Sequence, residues 1–434
     1  MFAYYLHLAL RSFRRNRVLT ALMVLTIALG IGARMTTLTV FHVLSGDPIP
    51  DRSDRLFYVQ LDPEGMDSYL PGQEPNGQLT RFDAEALLRE KRGARQAMMT
   101  GGSVSIEPTQ RQLPAFQIAS RYSSADIFPM FAMPFLYGSG WSASEDEGNA
   151  RVVVITKALN AKLFGGSNSA GKTLHIDKTS FQVVGVLDEW RPTPKFYDMN
   201  GNNGYGETDQ VFLPFSTSRD LAMARNGNMN CWGDSRAIET SVNAPCAWIQ
   251  YWVELASPKE ADAYRQYLGN YSDQQRAAGR FERPNNVRLR NVMDWLGFNQ
   301  VVPHDVVMQV WLAFGFLLVC LLNSVGLLLA KFMRRSGEVG VRRALGASRR
   351  EIFWQCLIEA GAVGLAGGIV GLGLAWLGLW AVRQQPTDYA DLAHLDPAML
   401  VTTFVIAIVA SLLAGLLPAW SAMQVSPAMQ LKSQ

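Results

Sequence analysis

Four long apolar runs interrupt an otherwise mixed chain. Val18–Leu44 carries one charge, Arg34; Val306–Ala330 has only Gln309, Asn323 and Ser324 as polar residues; Leu357–Val382 has one charge, Glu359; Met399–Trp420 has none. A helix of about 20 apolar residues crosses a bilayer core, so each run is read as a membrane span. Buried helices of a soluble core are the alternative, and four runs of this length weigh against it. The first run is too long for a cleaved signal and lacks a small-x-small site followed by polar sequence.

Residues 45–305, between the first two runs, show other periodicities. Arg55–Leu61, Arg151–Thr156, Gln210–Pro214 and Trp248–Leu255 read as strands. Thr173–Asp177 and Phe181–Leu187 read as a hairpin joined by Lys178-Thr179-Ser180. Phe82–Lys91 after Thr80, Lys157–Phe164 before Gly165-Gly166, and a helix from Ser257 with Glu260 three residues on read as helices. Trp190–Glu207 is a loop rich in Asn, Gly and Pro. The fold class is therefore a membrane protein with four transmembrane α-helices and a large α+β extracytoplasmic domain inserted between helices 1 and 2. Two subdomains are expected in it, the second over roughly 120–215.

Composition agrees. Of 434 residues, 48% are hydrophobic and only 18% charged, against about a quarter in soluble proteins. Aromatic content of 10% excludes a disordered chain. A net charge of +3 gives no footprint for nucleic acid. The charges are unevenly placed: residues 45–305 hold 26 basic and 31 acidic side chains, leaving the rest strongly basic. Arg11, Arg14, Arg15 and Arg17 precede the first span, and Lys331, Arg334, Arg335, Arg342, Arg343, Arg349 and Arg350 lie between the second and third; residues 384–398 have Asp388, Asp391 and Asp396 and no Lys or Arg. The positive-inside rule then puts both termini and the 331–351 segment in the cytoplasm. The segments are 1–17, an amphipathic interfacial helix with Phe2, Tyr5, Leu6, Ala9, Leu10 and Phe13 on one stripe; spans at 18–44, 306–330, 357–382 and 399–420; a cytoplasmic loop at 331–351; a short outer loop at 383–398; and a tail at 421–434.

Candidate chemistry is sparse. Cys231 and Cys246 both fall in the outer region, where an oxidising compartment favours pairing over two buried thiols. Cys320 and Cys356 fall in or beside spans and are read as packing residues. Gly166–Thr173, GSNSAGKT, matches a phosphate-binding loop, but that loop needs a strand before it and a helix after it. Here a helical run precedes and hairpin residues follow, so a turn is expected. The five histidines show no metal spacing, and no catalytic or metal site is assigned. Arg34, about 24 Å along the first helix, is expected to snorkel toward the outer face; Glu359 is expected to cap or pair with a neighbouring helix. Gly364-x-x-x-Gly368 and Gly367-x-x-x-Gly371 allow close helix approach in the third span.

The segment 331–359 is the informative one. Ser336 can cap a short helix with Glu338 in its first turn, Arg342 and Arg343 in its last, and Gly346 at its end. Ser348 and Glu351 form a capping box for the next helix. Such a charged, capped helix goes beyond a positive-inside anchor and reads as a docking element.

This stretch resembles the signature of FtsX-like permeases, the MacB class of ABC transporter membrane subunits. Arg335, Glu338, Val339, Gly340, Val341, Arg342, Arg343, Ala344, Leu345, Gly346 and Ala347 match R-x-x-E-[IV]-G-[IV]-R-[RK]-A-[LI]-G-A. Leu416–Leu431 is similar to the family's ending, and Val152–Val186 resembles its periplasmic core. The resemblance implies mechanotransmission: ATP-driven closure of two cytoplasmic ATPases moves the spans, and the outer domains respond. Glu338 through Gly346 would then be the ATPase-coupling residues, with Glu338 and Arg342 contacting the partner and Val339, Val341 and Leu345 filling its cleft. The family's ATPase domain is not found here. ATP and Mg are therefore left to a separate ABC ATPase dimer, and the chain itself holds no cofactor. A second permease, identical or a paralogue, is implied, with a periplasmic adaptor and an outer-membrane channel as further partners. Efflux of a drug, peptide or similar substrate from the bacterial inner membrane is the leading expectation; lipoprotein extraction and FtsX-like signalling to a periplasmic partner are the alternatives.

Overall fold

The computed structural model describes residues 11–13, 17–108, 113–201, 204–233, 238–386, 389–394 and 397–424. The chain divides into two units, residues 46–301 and the remainder. The expected helix over 1–17 lies outside the described residues except at 11–13, which are helical, and at 17; most of the 421–434 tail also lies outside them.

The core of residues 46–301 is a sheet built from β1 (Leu56–Gln60), β2 (Arg95–Glu107), β3 (Phe116–Ser123), β4 (Phe135–Gly138), β5 (Val152–Thr156), β6 (Thr173–Ile176), β7 (Thr179–Leu187), β8 (Val211–Pro214), β9 (Cys246–Glu254) and β10 (Arg288–Asn291). Its order runs β10-β1-β9-β2-β3-β8-β5-β7-β4. β6 pairs with both β7 and the far end of β2, so β2, β3, β8, β5, β7 and β6 close into a ring. Residues alternate faces along each strand. Val153, Ile155, Val211, Leu213, Val183 and Tyr122 enter one core, while Val152, Val154, Phe212 and Leu187 enter the other. Burial on both faces explains why β5 reads as an unbroken apolar run.

The expected subdomain boundary near residue 120 falls inside β3. β2 pairs with β9 through Arg95–Glu254 to Met99–Gln250, and with β6 at Ile106 and Glu107, while β3 lies along it from Met99 to Ile106. An open sheet and a closed ring therefore share β2, and residues 46–301 form one unit.

Helices α1 (Arg81–Glu90), α2 (Lys157–Phe164) and α3 (Pro258–Ala277) start at Thr80, Thr156 and Ser257, whose side chains accept from Asp83, Leu159 and Glu260 amides. The buried Asp83 carboxylate accepts from Tyr271 Oη at 2.7 Å and from Arg280 at 2.8 Å, tying α1 to α3. The hairpin turn is two residues, Asp177 and Lys178, both at positive φ, one shorter than the connection expected from the sequence. Cys231 and Cys246 are joined by a disulfide that closes a 15-residue separation, a loop constraint of about 3 kcal/mol.

Among the described residues of the other unit, four helices are long and apolar enough to cross a membrane: Arg17–Ser45, His304–Met333, Arg349–Arg383 and, within Pro397–Met423, Val405–Met423. Glycines set their contacts. A Cβ on Gly367 would come within 2.7 Å of Ile27, and one on Gly32 within 2.8 Å of Leu374. On Gly364 it would collide with Ser411, and on Gly30 it would lie 3.0 Å from Cys320 and Leu317. The third span thus meets the first and the fourth through backbone-close faces, as packing inside a bilayer favours.

Candidate coupling site

The short helix between the second and third spans is Ser336–Ala344. Ser336 is its first helical residue and does not cap it: the preceding Arg335 holds the cap position without a side-chain hydrogen bond. The end is as expected, with Gly346 at φ +104°, a conformation open to glycine. The third span starts with a full capping box: Ser348 accepts from the Glu351 amide, and Glu351 accepts from the Ser348 amide at 2.9 Å.

The faces of this helix differ from the simple picture. Glu338 and Arg342 pair at 3.0 Å, and Arg342 also donates to Gln355 of the third span at 3.2 Å. Val339 packs against the helical core and Gly340 is buried. Arg343 reaches the Met423 carbonyl at 3.5 Å. The outward surface is Val341, Ala344 and Leu345, with Val341 55% and Leu345 83% exposed. Sequence reasoning put Val339 on that surface. It faces inward because the 3.6-residue period turns it to the side opposite Val341.

Beneath the helix lies a buried ion cluster. Lys331 Nζ is 2.7 Å from Glu359 Oε1, and Arg335 Nη1 is 3.2 Å from Glu359 Oε2. Ser12 donates to the same carboxylate, and Lys331 reaches Thr20 Oγ1 at 3.4 Å. Lys331 is 0% exposed and Glu359 3%. Glu359 therefore pairs as expected, but Lys331 is no mere topogenic base. The available signal was spacing: Lys331 and Arg335 lie one turn apart, and Glu359 is the only acid in the apolar runs. A cleft lined by Arg335, Glu338, Arg342, Gln355, Cys356 and Glu359 separates the short helix from the third span. The result is a rigid element locked to two spans, with an apolar face turned outward.

A second buried network lies in the inserted domain. Arg121 on β3, 0% exposed, bonds Asp198, Asp209 at 2.9 Å and Gln250 at 2.9 Å, and Lys195 lies 3.5 Å from Asp209. Burial pushes the Asp198 carboxyl up, but Arg121 and Lys195 outweigh it and hold it at about 2. This network pins the Asn- and Gly-rich loop to the sheet. GSNSAGKT is a turn: it follows α2, Gly166 and Gly171 have positive φ, and β6 starts at Thr173. Lys172 lies over the Phe164 ring. A strand, not a helix, follows the turn, so it lacks the helix-start amides that a phosphate-binding loop supplies. Among the described residues no group of three metal-ligating side chains occurs.

The MacB-like periplasmic core domain matches residues 20–271, and the FtsX-like permease C-terminal domain matches residues 310–427. The chain belongs to the MacB/FtsX-like ABC transporter permease family. The macrolide export ATP-binding/permease protein MacB of Marinobacter nauticus is 24% identical over 439 residues, covering 98% of this chain and 60% of that protein. The pyoverdine export ATP-binding/permease protein PvdT of Pseudomonas aeruginosa is 24% identical, covering 96% of this chain and 57% of its own length. The chain thus spans about 60% of the length of these relatives. The crystallised periplasmic region of MacB from Actinobacillus actinomycetemcomitans aligns with a TM-score of 0.36 at 14% identity, covering 56% of this chain and 92% of its own. In this MacB-like permease, residues 46–271 of the inserted unit lie within the periplasmic core match, and the short helix with Lys331, Arg335 and Glu359 lies within the FtsX-like match.

Proposed function

We propose that the chain is a multi-pass inner-membrane permease subunit that converts ATP hydrolysis by a separate cytoplasmic ATPase dimer into movement of its periplasmic domain, for export of a drug, peptide or similar substrate. On this reading both termini face the cytoplasm, ATP and Mg are bound by the partner, and a second permease completes the complex. A periplasmic adaptor and an outer-membrane channel would receive what leaves. The printed names of the relatives, which couple ATP binding, a permease and export, support it.

The observation that carries the proposal is the short helix. Its outward Val341, Ala344 and Leu345 offer an apolar plug of the size a cleft accepts, rimmed by bases. Behind them, Glu359 holds Arg335 and Lys331, so a push on the plug moves the second and third spans with it rather than bending a loop. Glu338 and Arg342 stiffen the helix and fix it to Gln355 instead of forming the main partner contact.

The test is co-purification of the ATPase with wild-type, Leu345→Asp and Glu338→Lys permease, with ATP turnover measured in nanodiscs. A charge buried in an apolar interface costs several kcal/mol. Leu345→Asp should therefore reduce ATPase recovery about tenfold or more, and Glu338→Lys by less. Full recovery and wild-type turnover with Leu345→Asp would sink the proposal.

A further inference from the structure

Arg34 is a charge in the wrong place. The first span is 29 residues long, about 43 Å of helix across a core of about 30 Å. Arg34 lies about 16 Å from its Ser45 end, well inside the hydrocarbon. Helical side chains lean toward the helix N-terminus, so Arg34 leans away from the nearer end. The guanidinium carbon sits 5.1 Å from the centre of the Phe314 ring on the second span.

That placement is built. Gly30, one turn before Arg34, lets the first span close onto Leu317 and Cys320, which fixes Phe314 beneath the guanidinium. Trp311 stands edge-on to Phe314 with ring centres 6.4 Å apart. Beside Phe314, a Cβ on Gly315 would meet nothing within 4 Å, which leaves a notch open. Among the described residues no carboxylate pairs with Arg34, and Glu359, the only acid in the apolar runs, is spent on Lys331 and Arg335. A second copy of this chain therefore brings no free acid from its apolar runs. A cation–π contact alone does not replace a counter-ion.

We propose that Arg34, Phe314 and Gly315 form a lateral binding site for the acidic head group of an amphipathic molecule. Its carboxylate or phosphate meets Arg34, and its apolar body lies along Leu318, Val319 and Leu322. These residues are exposed on the same helix face and lead toward the middle of the span. A guanidinium suits both acids because it can bond two oxygens at once. This proposal needs the membrane placement but not the ATPase, so it can fail while the coupling reading stands, and the reverse.

The experiment uses the full chain in phosphatidylcholine nanodiscs titrated with 11-(dansylamino)undecanoic acid, with empty nanodiscs as blank. Saturable binding is expected for wild type. It should weaken about tenfold or more in Arg34→Leu, be largely retained in Arg34→Lys, and weaken several-fold in Phe314→Leu. The methyl ester of the probe should bind wild type no better than the acid binds Arg34→Leu. Replacing a third of the lipid by phosphatidylglycerol separates two sources of the acid. Loss of affinity in wild type but not in Arg34→Leu assigns a bilayer phosphate to the site, and unchanged affinity assigns it to a free amphiphile. Arg34→Leu makes the span more apolar, so insertion is preserved. Equal binding of acid and ester, or wild-type affinity in Arg34→Leu, would overturn the proposal.

Discussion

The two units bury ions on different terms. In the periplasmic domain two cations, Arg121 and Lys195, meet two carboxylates, Asp198 and Asp209, and Gln250 and Tyr197 satisfy what remains. In the membrane unit two cations, Lys331 and Arg335, share one carboxylate, Glu359. The balanced set needs nothing further and reads as a fastener. The unbalanced set leaves one positive charge beneath a helix whose outward face is apolar, so its strength depends on what covers it. Buried charge alone does not separate the two clusters; the imbalance, and the apolar helix face above it, do.

The largest effect that could break this comparison is on the balanced side. Arg121→Met leaves Asp198 and Asp209 without their main partner, and removing one side of a buried pair costs about 3–5 kcal/mol. Calorimetry of the whole chain should show the periplasmic transition falling sharply while the helical unit is unchanged; an unmoved transition would mean the loop is held by packing alone. Next comes Glu359→Gln, which should leave the periplasmic transition in place but raise hydrogen exchange of the 336–344 amides by roughly tenfold. Unchanged exchange there would remove the lock from the coupling argument. The smallest effect is a pH term. Burial pushes the Asp146 carboxyl up to about 6, above its unfolded value, so the folded state holds that proton more tightly. Its contribution is full below about pH 4 and is lost as pH rises toward 6. Asp146→Asn should flatten that fall in thermal scans between pH 4 and 7; an unaltered slope would refute the assignment.

Much of this architecture was legible because apolar length is a strong signal. The short helix, its glycine end and the Ser348 capping box follow from residues a few positions apart. What was not legible depended on distant partners. β2 and β3 escaped notice because Gly101 and Gly102 break the strand pattern. The structure gives those glycines their reason: a Cβ on Gly102 would strike the Tyr122 ring, and one on Gly101 the Asn226 amide. Arg121 looks like an ordinary solvent-facing strand residue until the loop carrying Asp198 and Asp209 folds over it. Val339 was assigned outward because its type, not its angle around the helix, was read. GSNSAGKT was rejected from its neighbours rather than its own letters, and the strand following it has the same meaning in the structure.

The shared strand β2 has a mechanical consequence. Its 13 residues extend about 43 Å, bonded to β9 at one end and to the ring at the other, with β3 alongside the central stretch. Covalent backbone, rather than a linker, joins the two parts of the domain, so no flexible joint absorbs a load between them. A small tilt imposed at one end of such a beam reappears at the other as a displacement scaled by its length. If the domain moves as proposed above, β2 would carry it as a single stiff arm rather than as two parts bending against each other.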